Sequence, residues 1–299
     1  MSPDQAGDPE HAGPERAAIP ADPEHAGSPA FVLPEWLVAH ARTFYDGDRE
    51  PVPPRRAATV VLLRDAPVGL EAYTIRRAAS MAFASGMHAF PGGGVDPRDA
   101  AHNVGWSGPS PAEWAQRLGL EDAAAARAMV CAAVRETFEE SGVLLAGADA
   151  ETVVGDVSGS EWEDARQALV ERRLAFSEFL AGRGLVLRSD LLAAWARWIT
   201  PVFEPRRYDA CFFLAALPEA QRTRDVGGEA ASVAWVRPSE AVARQAAGEM
   251  AMLPPTVVTL AGLSDVATVA DALHAAADRD LAPITPRIVF TDDGGRLAL

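Results

Sequence analysis

Three carboxylates crowd one short stretch of this chain: Glu136, Glu139 and Glu140, spaced i, i+3 and i+4. On a helix, with about 3.6 residues per turn, they share one face. Val130, Val134 and Phe138 recur every four residues on the other face, flanked by Cys131 and Thr137, and make an apolar stripe. The pattern starts near Glu121, and Gly142 ends it as a residue able to take a left-handed conformation. As a way to stabilise a helix this is poor. Like charges at these spacings cost about 0.2–0.5 kcal/mol per pair, no basic residue follows within a turn, and acids in the last turn face the negative end of the macrodipole. An arrangement that opposes two local preferences implies that a cation is expected there. Convergent carboxylates suit Mg²⁺ or Mn²⁺, hard ions that keep several waters and complete their shells with substrate phosphates. The plain alternative is an acidic, solvated face, and spacing alone does not choose between them.

Arg135-Glu136-x-x-Glu139-Glu140-x-Gly142-Val143 resembles the second half of the Nudix box, the signature of hydrolases acting on nucleoside diphosphates linked to another moiety. Phe90-Pro91-Gly92-Gly93-Gly94 is similar to its first half. The chain departs from the usual box in two ways. An insertion, roughly residues 97–120, separates Gly93 from Arg135, and the family's intermediate Glu has no clear counterpart. Asp99 stands at the right distance from Gly93 but before the insertion. The catalytic half is complete.

That resemblance implies an α/β fold for residues 31–299, a Nudix-type α/β/α sandwich with a mixed sheet, the insertion, and extra C-terminal helices. It implies catalytic roles for Arg135, Glu136, Glu139 and Glu140. The cofactor it implies is Mg²⁺ or Mn²⁺, held by Glu136, Glu139, Glu140 and a fourth acid, Glu229. Further stretches, Trp198-Ile199-Thr200-Pro201, Arg206-Arg207-Tyr208-Asp209-x-Cys211-Phe212-Phe213 and Glu229-x5-Trp235, are similar to the nudix-motif-19 group, whose animal members are peroxisomal coenzyme A diphosphatases. The implied reaction is metal-dependent cleavage of coenzyme A or an acyl derivative to phosphopantetheine, or its acyl form, and 3′,5′-ADP. Arg77-Ala78, Gly86 and Phe90-Pro91-Gly92-Gly93 fit part of the coenzyme A motif of related Nudix hydrolases. That motif expects an Arg where this chain has Ala82 and a Thr where it has Ile75. A Nudix pyrophosphatase for NADH or ADP-ribose is the alternative. A non-catalytic nucleotide-binding regulator of the same fold is a third reading, disfavoured by the three intact carboxylates.

Composition narrows the partners. Of 299 residues 48% are hydrophobic, enough for a sizeable core, while the formal charge of −15 argues against nucleic acid or an anionic membrane as a main partner. The expected partner is a small nucleoside diphosphate, with a homodimer left open. Such a substrate needs local positive charge from a metal or from arginine, because the chain has no Lys. Arg76, Arg77 and Arg206 are the candidates, beside Gly92 and Gly93, whose glycines permit positive φ and whose N–H groups can face phosphate. Cys131 and Cys211 have no metal-like spacing and read as reduced core thiols of a cytoplasmic protein. No stretch reads as a membrane span or a secretory signal.

The elements that must position these residues follow from pattern. Residues 1–30 repeat Asp8-Pro9-Glu10-His11-Ala12-Gly13 as Asp22-Pro23-Glu24-His25-Ala26-Gly27 and read as a disordered Pro/Ala/acidic tail. Pro34–Tyr45 reads as a helix with Leu37 and Ala41 inward, and 57–63 and 71–76 as strands joined by a turn at 67–69. Within the insertion, Trp114 and Leu118 mark an amphipathic run expected to pack as a surface helix and loop. A strand begins at 143–145, a helix spans 162–180, and Ser189 caps another helix to about Trp198. Tyr208 to Leu214 is a buried strand preceded by Arg207, expected to pair with Asp209 or Glu204 or to bind phosphate. A strand at 232–236 follows, then a helix capped by Ser239, two more helices through Asp278, and a closing hairpin around Asp292-Asp293-Gly294-Gly295.

Overall fold

The computed structural model describes residues 31–47, 49–78, 84–225, 230–292 and 294–299; the tail 1–30, Ala82 and Glu229 lie outside them. In order the chain forms β1 (Phe31–Val32), α1 (Glu35–Tyr45), β2 (Arg55–Ala66), β3 (Gly69–Arg77), β4 (His88–Ala89) and β5 (Gly92–Gly94). The insertion supplies a 3₁₀ turn (Pro97–Ala100), β6 (Gly105–Ser107) and α2 (Pro111–Leu118). Then come α3 (Ala123–Ser141), β7 (Ala146–Gly147), α4 (Ser160–Val170), α5 (Phe176–Gly182), β8 (Val186–Arg188), β9 (Ala193–Ile199), β10 (Tyr208–Ala216) and β11 (Ala230–Val236). The remainder is α6 (Pro238–Ala246), α7 (Pro254–Leu263), α8 (Val269–Ala277), β12 (Arg287–Thr291) and β13 (Gly294–Ala298).

Val60 to Leu63 of β2 are buried on both faces, the continuous apolar run expected of a strand with helices above and below. β10 lies parallel beside it from Tyr208↔Arg55 to Ala216↔Leu63, whereas β3 and β9 pair antiparallel. The main sheet runs β11-β3-β2-β10-β9, with β4 on β3 and β5 on β2. Val60, Leu62, Tyr73 and Phe213 face one cluster with Val130, Val134 and Phe138 of α3. Val61, Leu63 and Leu214 face the other, with Val257 and Leu260 of α7 and Ala272 of α8. Two helical layers thus cover a mixed sheet, the α/β/α sandwich expected.

Several local expectations are corrected by packing. The helix expected over 162–180 is two helices, broken where Arg172 takes φ +58. The break lets Phe176 and Phe179 turn inward, and Phe179 stacks on Phe138 of α3 at 5.3 Å. From Ser189 to Trp198 there is a 3₁₀ turn and then β9, not a helix. Pairing with β10 and burial of Trp195 and Trp198 override the helical preference of Ala. Residues 143–145 are buried but form no strand; the strand falls later, at β7. α6 starts at Pro238 with Arg237 as its N-cap, so Ser239 is not the cap. In α1 it is Val38, with Ala41, that is buried, and Leu37 only packs alongside.

The insertion is part of the body. Trp114 and Leu118 are buried in the α3-side core, Trp114 meets Phe213 edge-on at 5.7 Å, and Arg117 donates to Arg279 O (2.9 Å) and Ala276 O (2.8 Å) beside α8. The closing hairpin joins β1 in a separate three-stranded sheet, and Ile288 packs with Ala41 and Phe203 beneath it.

Candidate active site

α3 is held at both ends. The Asp122 carboxylate accepts the Ala125 N–H at 2.8 Å, and Gly142, at φ +71, donates its N–H to Phe138 O at 3.0 Å. The Val130–Val134–Phe138 stripe is fully buried under β2 and β10, and this fixes the rotation of the helix. Its opposite face is thereby turned toward β5.

β5 pairs antiparallel with β2 through Thr59↔Gly92, Ala58↔Gly93 and Ala57↔Gly94. None of these glycines takes positive φ, so the expected turn role is corrected. Space is the reason for two of them. A Cβ on Gly93 would lie 2.6 Å from Glu136 Cδ and Oε1, and one on Gly92 would lie 2.5 Å from Ala58 O. The Gly92 N–H, expected to face phosphate, donates to Glu140 Oε2 at 2.8 Å.

Arg135 gathers the rest. Its Nε and Nη2 donate to the two oxygens of Asp99 at 3.0 and 2.9 Å, a bidentate pair. Nη1 donates to Glu136 Oε1 (2.8 Å) and to Glu139 Oε1 (3.2 Å), and Nη2 also to Gly94 O (3.0 Å). Asp99, which the sequence leaves ambiguous, therefore reaches Arg135 from the 3₁₀ turn that opens the insertion and is itself buried. Burial opposes the Arg135 charge but is outweighed by the hydrogen bonds from Asp99 and the charges of Glu136, Asp99 and Glu139, which drive its pKa up. Burial pushes the Glu136 carboxyl up to about 7, against the pull of Arg135 and with the charges of Glu139 and Asp99 adding to the rise. Glu139 is raised by burial too, with Arg135 again opposing.

The repulsion expected at the end of α3 is relieved from outside the local sequence. Arg166 of α4, buried, donates Nη1 to Glu139 O at 2.7 Å. The Arg224 guanidinium lies against Gly142 and donates Nη2 to Val157 O at 3.2 Å. Glu163 joins them, accepting from Arg166 Nε at 3.0 Å and standing 3.5 Å from Arg224 Nη1. Two cations thus meet the negative helix terminus. Gln221 fixes the exit of the chain, its Nε2 donating to Leu144 O and Val154 O and its Oε1 accepting the Leu144 N–H. Of these only the Glu163-x-x-Arg166 spacing was visible in sequence, and it did not reveal that the pair caps another helix.

The other expected residues fall elsewhere. Arg76 is exposed, and strand alternation puts it on the face opposite Tyr73 and Ile75, away from α3; its Nε donates to Gly86 O at 3.3 Å. Arg77, one residue on, takes the other face and stands across from Ala230. Arg206 is exposed before β10. Neither Arg76 nor Arg206 has a hydrogen bond or ion pair to the carboxylate cluster. Arg207 pairs with neither Asp209 nor Glu204: its Nε donates to Thr200 O and its Nη1 to Val52 O, while Asp209 takes Arg197 at 2.6 and 2.8 Å.

Among the described residues no three acid, His or Cys side chains already stand at metal-holding spacing. Glu136 and Glu139 are turned onto Arg135, and Glu140 onto the Gly92 amide. The donor set still fits a hard divalent cation. It is all carboxylate oxygen, rises from successive turns of one helix, and carries more negative charge than the single Arg135 guanidinium offsets.

Known proteins resemble the chain in these same parts. The NUDT19 Nudix domain family matches residues 120–263, which hold α3 and the elements that follow it as far as α7. An acyl-coenzyme A diphosphatase NUDT19 of Gallus gallus is 27% identical over 277 residues, 76% of this chain and 72% of that protein. A putative nudix hydrolase 7 of Caenorhabditis elegans is 29% identical over 192 residues, 64% of this chain and 55% of that protein. The crystal structure of a NUDIX hydrolase from Alicyclobacillus acidocaldarius superposes with a TM-score of 0.65 at 30% identity, covering 78% of this chain and 99% of that one.

Proposed function

The chain belongs to the Nudix hydrolase family, enzymes that cleave diphosphate bonds, and from that premise we propose that its substrate is coenzyme A or an acyl-coenzyme A. The products are 3′,5′-ADP and phosphopantetheine or its acyl form. The observation that carries the hydrolytic chemistry is the excess of buried carboxylate around Arg135: Asp99, Glu136 and Glu139 share one guanidinium, and burial, with the neighbouring acids adding to it, pushes the Glu136 carboxyl up to about 7. The substrate reading is supported by the likeness to the chicken acyl-coenzyme A diphosphatase.

Glu136, Glu139 and Glu140 would hold Mg²⁺ or Mn²⁺, with Glu229 as a fourth acid. Bound there, the cation offsets the charge of the diphosphate and of the leaving phosphate. The chain's own part is positional. Arg135 holds Glu136 and Glu139 from one side, and the Gly92 amide holds Glu140 from the other. Gly93 lets the Glu136 carboxylate lie directly on the strand. A carboxylate of the cluster that the cation leaves free would accept the proton of the attacking water. Water oxygen bonds to phosphorus, the anhydride P–O bond breaks, and the leaving phosphate keeps that electron pair. Arg77, on the α3 side of the sheet, and Arg206 are the proposed contacts for the remaining substrate charge.

Turnover of coenzyme A, dephospho-coenzyme A, NADH and ADP-ribose is to be compared at one Mg²⁺ concentration. Coenzyme A or its acyl form should lead. A substrate without the 3′-phosphate that turns over tenfold better, about 1.4 kcal/mol at the transition state, would transfer the assignment to a dinucleotide pyrophosphatase.

A further inference from the structure

We propose that β12 is an interface strand: centred on Val289, it pairs antiparallel with β12 of a second copy of this chain. β12 lies at the edge of the β1-β13-β12 sheet, and its register with β13 runs unbroken from Arg287↔Ala298 to Thr291↔Gly294. The ladder itself shows which backbone groups point outward. The Leu33 N–H donates to Gly295 O at 2.9 Å, so the polar groups of Gly295 face β1. Phe290, paired with Gly295, therefore stands at a pair that exchanges no hydrogen bonds, and its N–H and C=O point to the open edge. By the same alternation so do those of Ile288. No described residue outside the hairpin hydrogen-bonds to either.

Other strand edges are protected. The outer side of β9 is covered by Ile284, which accepts the Ile199 N–H at 2.9 Å and donates to Arg197 O at 2.8 Å. β11 carries a register shift between Ala230 and Ser232, and β1 is only two residues long. β12 has no bulge and no proline, and the chain has no lysine to blunt it. Ile288, Val289, Phe290 and Thr291 are all β-branched or aromatic. Large apolar side chains stay exposed on and beside it. Val289 is 44% exposed, Phe290 39%, and Tyr45, whose ring stands 6.2 Å from that of Phe290, 49%.

A second copy meets these groups in one register. Ile288 and Phe290 carry the outward backbone groups, so a two-fold axis must pair them with each other or each with itself. Centring on Ile288 would set Phe290 opposite Pro286, which has no N–H to give. Centring on Phe290 would run Ile288 into the turn of the other copy at Asp292. Centring on Val289 pairs Ile288 with Phe290 twice and joins the two sheets into one of six strands. Charge agrees with that register: Arg287 of one copy comes beside the Thr291–Asp292 end of the other, and no like charges stand opposite. On the α1 side, where Ile288 packs with Ala41 and Phe203, each Phe290 lies against the Ile288 of the other copy. On the outer face Val289 meets Val289. Two five-residue edges with these side chains make a small interface, on the order of 1,000 Å², so the association is reversible and depends on concentration.

The test follows mass by sedimentation velocity across roughly 1–300 μM protein for wild type and Val289→Lys, with melting curves to verify folding. Wild type should shift from monomer toward dimer as concentration rises. Val289→Lys, on the face turned away from α1, should stay monomeric at the wild-type melting temperature. Disulfide trapping under mild oxidant reads the register. In Val289→Cys the two introduced thiols sit at a pair whose Cα atoms are about 4.5 Å apart, within disulfide reach. In Arg287→Cys they lie four residues apart along the ladder, about 14 Å. Val289→Cys should therefore crosslink at least about tenfold faster, and the native Cys131 and Cys211 are too buried to contribute. A wild type that is monomeric at every concentration overturns the proposal and leaves the edge to a foreign strand. A dimer that Val289→Lys leaves intact overturns it too, because the joint then lies elsewhere. Equal trapping of the two cysteine variants does the same, since it marks random collision.

Discussion

Glu136 stands in a crowded carboxylate cluster and packs against the glycine strand. Its carboxylate is buried, shares Arg135 with two other acids, and lies where any Cβ on Gly93 would be. Glu139→Gln and Glu140→Gln should each lower kcat/KM on the order of 10²-fold or more, while melting temperature stays level or rises because one member of a repulsive group is removed. Near-normal turnover in both would end the metal-site reading. The two glycines should separate by mechanism. In Gly93→Ala the new methyl meets the far end of the Glu136 side chain, which can swing away, so activity falls while stability changes little. In Gly92→Ala it meets the Ala58 carbonyl and the Thr59 backbone, which cannot, and a loss of about 1–3 kcal/mol is expected. Denaturant melts of the two variants beside their kinetics check this, and equal stability losses would contradict it.

At the scale of elements, α3 works because α4 and the 221–225 segment finish it. Arg166 supplies the cap that the local sequence lacks, so Arg166→Met should cost about 1–3 kcal/mol through the uncapped Glu139 carbonyl and the stranded Glu163. Arg166 holds the Glu163 carboxyl at about 2, chiefly by hydrogen bonding and despite some burial. A depressed folded-state pKa contributes stability that is complete above the unfolded value of about 4.3 and is lost as pH falls through about 2. Urea melts between about pH 5 and about pH 2 should therefore show wild type losing more stability with acid than Glu163→Gln. Parallel acid limbs would remove Glu163 from the cap.

For the whole molecule, both thiols are sealed in the core. Burial pushes Cys131 and Cys211 each up to about 12, so neither is a thiolate at neutral pH. A thiol reagent should label neither in native protein and both in urea, and prompt native labelling would show that the α3 core opens. Residues 1–30 lie outside the described residues, and their Pro, Ala, Gly and acidic composition predicts that they add little to the stability of the body. Deleting them should leave activity and melting temperature nearly unchanged, and a stability loss above about 1 kcal/mol would show that the tail packs on the body.

What the sequence determined by itself was whatever depends on near neighbours in the chain. The Val130–Val134–Phe138 stripe and the Glu136–Glu139–Glu140 face follow from helical periodicity, and the β2–β3 hairpin and Gly142 stop follow from turn chemistry. The mixed sandwich followed from the box and the alternation of elements. Tertiary structure decided the rest, because its causes lie far apart along the chain. Whether 193–199 is helix or strand depended on β10 being there to pair with it. Why Gly93 is glycine depended on Glu136, which comes to it only across the insertion. Asp99 found Arg135 and Arg166 found the end of α3, because packing of the sheet against its helices sets those distances and no local pattern encodes them.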